Sequence, residues 1–211
     1  MDKIKIELGI VSDNHSILNI ITDKLEKGLG NDTETIEFVL SGFNPLEKDI
    51  MEMAVRDIIN PIVKSAEQFF QTYIKSFAYK PFSFQSTNKI ELRDYTGFVN
   101  IIGFFQGMFV ISLDKVLAEN LMLAFGMGIV KQKDRDAYMK DTVSESGNII
   151  FGNSLESFSI LEKPLEVEPP HAIKSSGITI EIKNTEIYTL DLTTNKGDMT
   201  VSFFNFMNIN L

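Results

Sequence analysis

The middle of the chain reads Asp141-Thr142-Val143-Ser144-Glu145-Ser146-Gly147-Asn148-Ile149-Ile150-Phe151-Gly152-Asn153. The pattern predicts one helix. At about 100° per residue, Glu145 and Asn148 fall on one face, roughly a turn apart. A carboxylate there can anchor a cationic partner, and an amide can hold a water by donating and accepting together. The pair is a candidate active surface. Spacing alone fits two ordinary solvated helix positions better.

The elements around this segment must position it. A long helix over residues 134–159 carries the pair. Ahead of it, Asp114 caps a helix whose apolar positions are Val116, Leu117, Leu121, Leu123 and Ala124, and Gly126-Met127-Gly128 ends that helix. Strand patterns cover residues 82–85, 89–93, 98–105 and 108–113, with Gln106-Gly107 as the hairpin turn. After the rigid Pro169-Pro170 joint, three more strands follow at 178–183, 186–192 and 199–206. Upstream, Asn44-Pro45-Leu46-Glu47 and Asn60-Pro61 each read as a helix start. The second opens a helix with Ile62, Ala66, Phe69, Phe70, Tyr73 and Phe77 as its apolar stripe, ended by Pro81. Antiparallel hairpins with helices packed on one face give an α+β fold.

The first 50 residues differ. Residues 4–12 and 35–40 read as strands, with Ile17, Leu18, Ile21 and Leu25 at helical spacing between them. Residues 1–52 hold 11 acids and 5 bases, most of the chain's net charge of −9. The charge shift predicts a βαβ-like extension over 1–52 and a main domain over 53–211. The extension is faintly similar to the start of a receiver domain. It is too short to be one and has no phosphoacceptor, so Asp13 reads as a helix cap rather than a metal ligand.

Composition narrows the chemistry. The chain has no cysteine, which excludes disulfides, thiolate zinc sites and cysteine nucleophiles. Its two histidines, His15 and His171, are far apart in sequence, which disfavours histidine-based zinc or triad chemistry. The acidic balance disfavours nucleic acid and anionic membrane as partners. No apolar run approaches the roughly 18 residues of a membrane span, and the first residues lack a signal-peptide core. The expectation is a soluble cytoplasmic protein.

Asp141, Glu145, Gly147, Asn148 and Gly152 reproduce the Asp-x-x-x-Glu-x-Gly-Asn-x-x-x-Gly pattern of the CheC/CheX/FliY phosphatases of bacterial chemotaxis. The resemblance extends over residues 55–207. It takes in the Asn60-Pro61 helix, the Gly103–Gly107 hairpin, Gly126-Met127-Gly128, and Pro169-Pro170-His171-Ala172-Ile173. The first long helix, from Asn60 to Phe70, has no Glu-x-x-Asn of its own, and a single site resembles the CheX branch. Phe151 departs from the pattern, which has a small residue before the glycine.

The resemblance implies hydrolysis of the aspartyl phosphate on a CheY-like receiver. Asn148 would position the water and Glu145 would dock a receiver lysine. Asp141, Gly147, Phe151 and Gly152 would belong to the binding surface, with the two glycines permitting close approach of the partner. The resemblance implies no cofactor on this chain, with magnesium on the phosphorylated receiver, and a possible homodimer through joined sheets. A non-catalytic module that binds a receiver or flagellar switch component on the same fold is the alternative. A weaker one is an orphan domain that binds another pathway through its acidic N-terminal part.

Overall fold

Tyr95, Val99 and Ile101 alternate with Thr96, Phe98 and Asn100 along one strand, and all six are buried. A strand buried on both faces must lie between two layers. The computed structural model describes residues 3–8, 35–40, 48–75, 85–103, 107–128, 130–157, 165–183 and 187–205. Its elements are β1 (Lys3–Leu8), β2 (Thr35–Leu40), α1 (Lys48–Tyr73), β3 (Gln85–Thr87), β4 (Lys89–Glu91), β5 (Tyr95–Gly103) and β6 (Gly107–Leu113). After them come α2 (Lys115–Ala124), α3 (Arg135–Leu155), β7 (Leu165–Val167), β8 (His171–Lys174), β9 (Thr179–Lys183), β10 (Ile187–Thr194) and β11 (Gly197–Asn205).

The larger sheet runs β3-β10-β11-β6-β5-β7, and β8 pairs with the first half of β5 while β7 pairs with its end. All of its pairings are antiparallel. The three helices share one core with this sheet. Val143, Ile150 and Phe151 of α3, Phe69 and Phe70 of α1, and Leu117 and Leu121 of α2 join Tyr95, Val99, Ile111 and Val201 in it. The expected antiparallel sheet with helices on one face is present.

Short side chains set how closely α3 lies on the sheet. A Cβ on Gly97 would stand 3.3 Å from both Cγ1 and the carbonyl oxygen of Val143. On the other flank, the Ser65 hydroxyl of α1 donates to the Ile150 carbonyl of α3 at 2.7 Å, and both residues are buried. This bond satisfies a hydroxyl that would otherwise be costly to bury. Asp114 caps α2 as expected, its Oδ1 accepting from the Leu117 amide at 2.7 Å and its Oδ2 from the Asp198 amide at 2.8 Å. Gly126 takes a φ of +77° just past that helix, where L side chains are strained.

One expectation needs correction. Asn60-Pro61 does not open a helix: α1 is already three turns old there, with Pro61 inside it. Proline removes one i→i−4 bond. The apolar stripe nonetheless continues across it, with Ile58, Ile59, Ile62 and Val63 all buried. Helix α1 runs through residue 52 without a break. Strand β2 pairs in parallel with β1 and with β9, and β9 pairs antiparallel with β4. The N-terminal strands thus enter a four-stranded sheet with strands from the main domain. The helix expected over residues 17–25, with Asp13 and His15, lies outside the described residues, as do Asn44-Pro45, Phe77, Pro81, Gln106 and Phe206.

Candidate active site

Helix α3 has two sides of opposite character. Met139, Thr142, Val143, Ser146, Gly147, Ile150, Phe151 and Ser154 are buried. Asp141, Glu145, Asn148 and Gly152 are exposed. Their spacing of four, three and four residues draws one stripe along the helix. Tyr138, 41% exposed, continues the stripe toward the N-terminus. The side chains of Asp141, Glu145 and Asn148 have no hydrogen bond or ion pair among the described residues. An acid and an amide that are solvated and uncommitted are available to a partner.

The helix beneath them is well tethered. Its first turn is held where the Tyr95 hydroxyl donates to Asp136 Oδ1 at 2.6 Å and Lys174 Nζ donates to Oδ2 at 2.9 Å. The Tyr95 bond, and then Lys174, hold the Asp136 carboxyl below its ordinary range. Burial, and then the same bond to Asp136, push the Tyr95 phenol up. Arg135 pairs with Glu119 of α2 at 3.3 Å. Beside the stripe, the Ser144 hydroxyl donates to the Pro170 carbonyl at 3.1 Å. The loop that carries Pro170 is pinned in turn. Asn100 Nδ2 donates to Glu168 Oε2 at 2.8 Å, and the Glu168 amide to the Asn100 carbonyl at 3.1 Å. The buried hydroxyls of Thr142, Ser146 and Ser154 donate to carbonyls one turn back in α3. The helix is therefore a fixed platform whose exposed side is polar.

Two residues placed on the binding surface by sequence are not on it. Gly147 is buried, and a Cβ there would meet Ile111 at 3.4 Å and Val99 at 3.5 Å. Gly147 faces the sheet, not a partner. Phe151 is fully buried, with its ring centroid 5.5 Å from that of Phe109. At 100° per residue, these two positions lie 200° and 240° around the helix from Glu145. Gly152 does lie on the exposed stripe, with nothing within 4 Å of an added Cβ. His171 is exposed at the start of β8, and Phe203 and Phe204 are buried strand residues. Tyr138 was missed by sequence, although its position seven residues before Glu145 marks the same face. Among the described residues there is no group of three or more His, Asp or Glu side chains able to hold a metal ion. No helix among them is long and apolar enough to cross a membrane.

A family model described as chemotaxis phosphatase CheX matches residues 95–193, which include all of α3 and its stripe. Over these residues the chain is similar to the CheX family. Solved structures agree on the fold. A chemotaxis protein CheX from Desulfovibrio desulfuricans superposes with a TM-score of 0.60 at 22% identity, covering 71% of this chain and 99% of that one. CheX from Vibrio vulnificus gives 0.55 at 17% identity, covering 70% and 95%. A CheX-CheY complex from Borrelia burgdorferi, with beryllofluoride and magnesium, gives 0.54 at 15% identity, covering 71% and 98%. No curated protein matches the chain. The CheX-like domain keeps its Glu145/Asn148 stripe clear of both the sheet and the neighbouring helices. The Phe151 side chain lies in the core beneath it.

Proposed function

We propose that this chain hydrolyses the aspartyl phosphate of a CheY-like receiver in chemotaxis signalling. The observation that carries the reading is the joint exposure of Glu145 and Asn148 on α3, both uncommitted among the described residues, within a CheX-like domain. The Borrelia complex of CheX with CheY supports a receiver as the partner class.

In this reading, Glu145 accepts from a receiver lysine and sets the angle of docking. Asn148 enters the receiver's phosphorylation site, and its amide holds one water in line with the phosphorus. The water oxygen bonds to phosphorus as the bond from phosphorus to the aspartyl oxygen breaks. The aspartate leaves as carboxylate, and the water's protons pass to phosphate and solvent. The receiver supplies the magnesium ion that screens the phosphoryl oxygens. An acyl phosphate is already labile, so a hundredfold acceleration needs only about 2.7 kcal/mol. Positioning one water is enough for that.

The test mixes the full chain with each phosphorylated receiver of its source organism and magnesium, then follows release of inorganic phosphate. Acceleration at least tenfold above the receiver's own decay is expected for one of them. If every receiver decays at its own rate, the reading is wrong.

A further inference from the structure

Tyr138, Asp141 and Glu145 stand at positions i, i+3 and i+7 on the exposed side of α3. Tyr138 lies about 10 Å along the axis from Glu145 and about 15 Å from Asn148. It is too far from Asn148 to touch the same reacting centre. Tyrosines are enriched among residues that anchor partners. Asp141 is the nearest acid on its stripe and is unpaired among the described residues. The Tyr138 carbonyl accepts from the Thr142 hydroxyl at 2.8 Å, so the backbone that presents the ring is fixed.

We infer that Tyr138 and Asp141 form a second docking subsite, which takes a basic side chain of the receiver distinct from the lysine at Glu145. The inference rests on the proposed phosphatase reading for its occupant. An aromatic face one turn from a carboxylate suits a long cation. The carboxylate takes the charge, while the ring covers the aliphatic stem or faces the cation itself. The charge on the stripe favours this occupant: Asp141 and Glu145 are both acidic, and neither is neutralised by a described residue. A basic contact at Asp141, about one turn from the one at Glu145, would extend the docking surface along α3 away from Asn148.

The experiment measures two quantities on the full chain. Docking is read as Kd for the receiver loaded with beryllofluoride and magnesium, which mimics the phosphoryl group without turning over. Hydrolysis is read as phosphate release at saturating phosphorylated receiver. Tyr138→Ala is expected to raise Kd about fivefold and leave the saturated rate unchanged. Tyr138→Phe keeps the ring and should stay within about twofold of the parent. The double variant Tyr138→Ala/Asp141→Asn should lose more than tenfold and show a shallower dependence of Kd on salt. An unchanged Kd in both the single and the double variant overturns the subsite, as does a chain that binds no loaded receiver. Binding that is sensitive to Tyr138 without any hydrolysis upholds the subsite and rejects the phosphatase reading. Circular dichroism and a thermal melt confirm that each variant is folded.

Discussion

The ring of Phe151 packs against that of Phe109, with centroids 5.5 Å apart and planes inclined by 36°. This contact fastens α3 to β6 directly beneath the Asn148 side of the stripe. Phe151→Ala should cost about 3 to 5 kcal/mol, because it removes a large side chain from a packed core and leaves a cavity. Urea denaturation measures it. On the proposed reading, turnover per folded molecule should stay within a few fold of the parent, since the ring is buried in the core. A variant as stable as the parent would remove Phe151 from its structural role.

The same helical period explains what was legible in the sequence. Glu145, Asn148, Asp141 and Gly152 recur at 3.6-residue spacing, so their common face could be read without coordinates. Gly147 and Phe151 lie in the same run of motif residues but turn to the other side. Matching the motif along the chain grouped residues that the helix separates, because a motif orders residues along the chain and a helix sorts them by angle. Pro61 shows a different limit. Its local signal is a helix start, and it lost to the buried stripe running from Ile58 to Phe70. The pairing of β2 with β9 joins residues some 140 positions apart, and no local pattern encodes a partner so distant.

Gly152 and Gly147 offer a paired test of that separation. Both lie inside helix α3, where glycine costs roughly 1 kcal/mol against alanine. Gly147→Ala would make ordinary contacts of 3.4 to 3.6 Å with Ile111 and Val99. It should leave stability within about 1 kcal/mol of the parent, with Kd for the loaded receiver unchanged. Gly152→Ala points into open space and should raise stability by about 0.5 to 1 kcal/mol, while weakening receiver binding by about threefold. Thermal melts and a binding titration read the two effects separately. Equal binding by both variants would show that no backbone approaches Gly152.

The tether at the start of α3 predicts a pH dependence. The Tyr95 hydroxyl first, and Lys174 second, hold Asp136 ionised to lower pH than an unfolded chain would. Its stabilisation is therefore present above the unfolded value of about 3.9 and is lost as pH falls through the lower folded value. Asp136→Asn should lose about 1 kcal/mol at pH 7, a small effect because the carboxylate is largely solvated. The gap from the parent should close below about pH 4. On the alkaline side, the raised Tyr95 pKa makes stability fall as pH climbs past the unfolded tyrosine value of about 10. Denaturation midpoints across pH 3 to 11 test both limbs. A constant gap between parent and variant at every pH would contradict the acid limb.

Glu145 and Asn148 share one helical turn, yet the proposed chemistry assigns them opposite kinetic signatures. A docking carboxylate binds the ground state and the transition state alike, so its loss acts on affinity. Glu145→Ala should raise Kd for the loaded receiver about five- to tenfold, within the range of partly exposed ion pairs at an interface. The salt dependence of binding should flatten at the same time, because one charge pair is gone. An amide that holds the attacking water acts chiefly in the transition state. Asn148→Ala should therefore lower the saturated rate about a hundredfold while Kd moves less than threefold. The double variant should multiply the two losses if the contacts are independent. Should Asn148→Ala weaken docking as much as turnover, the amide is a contact residue and the water must be placed by the receiver itself.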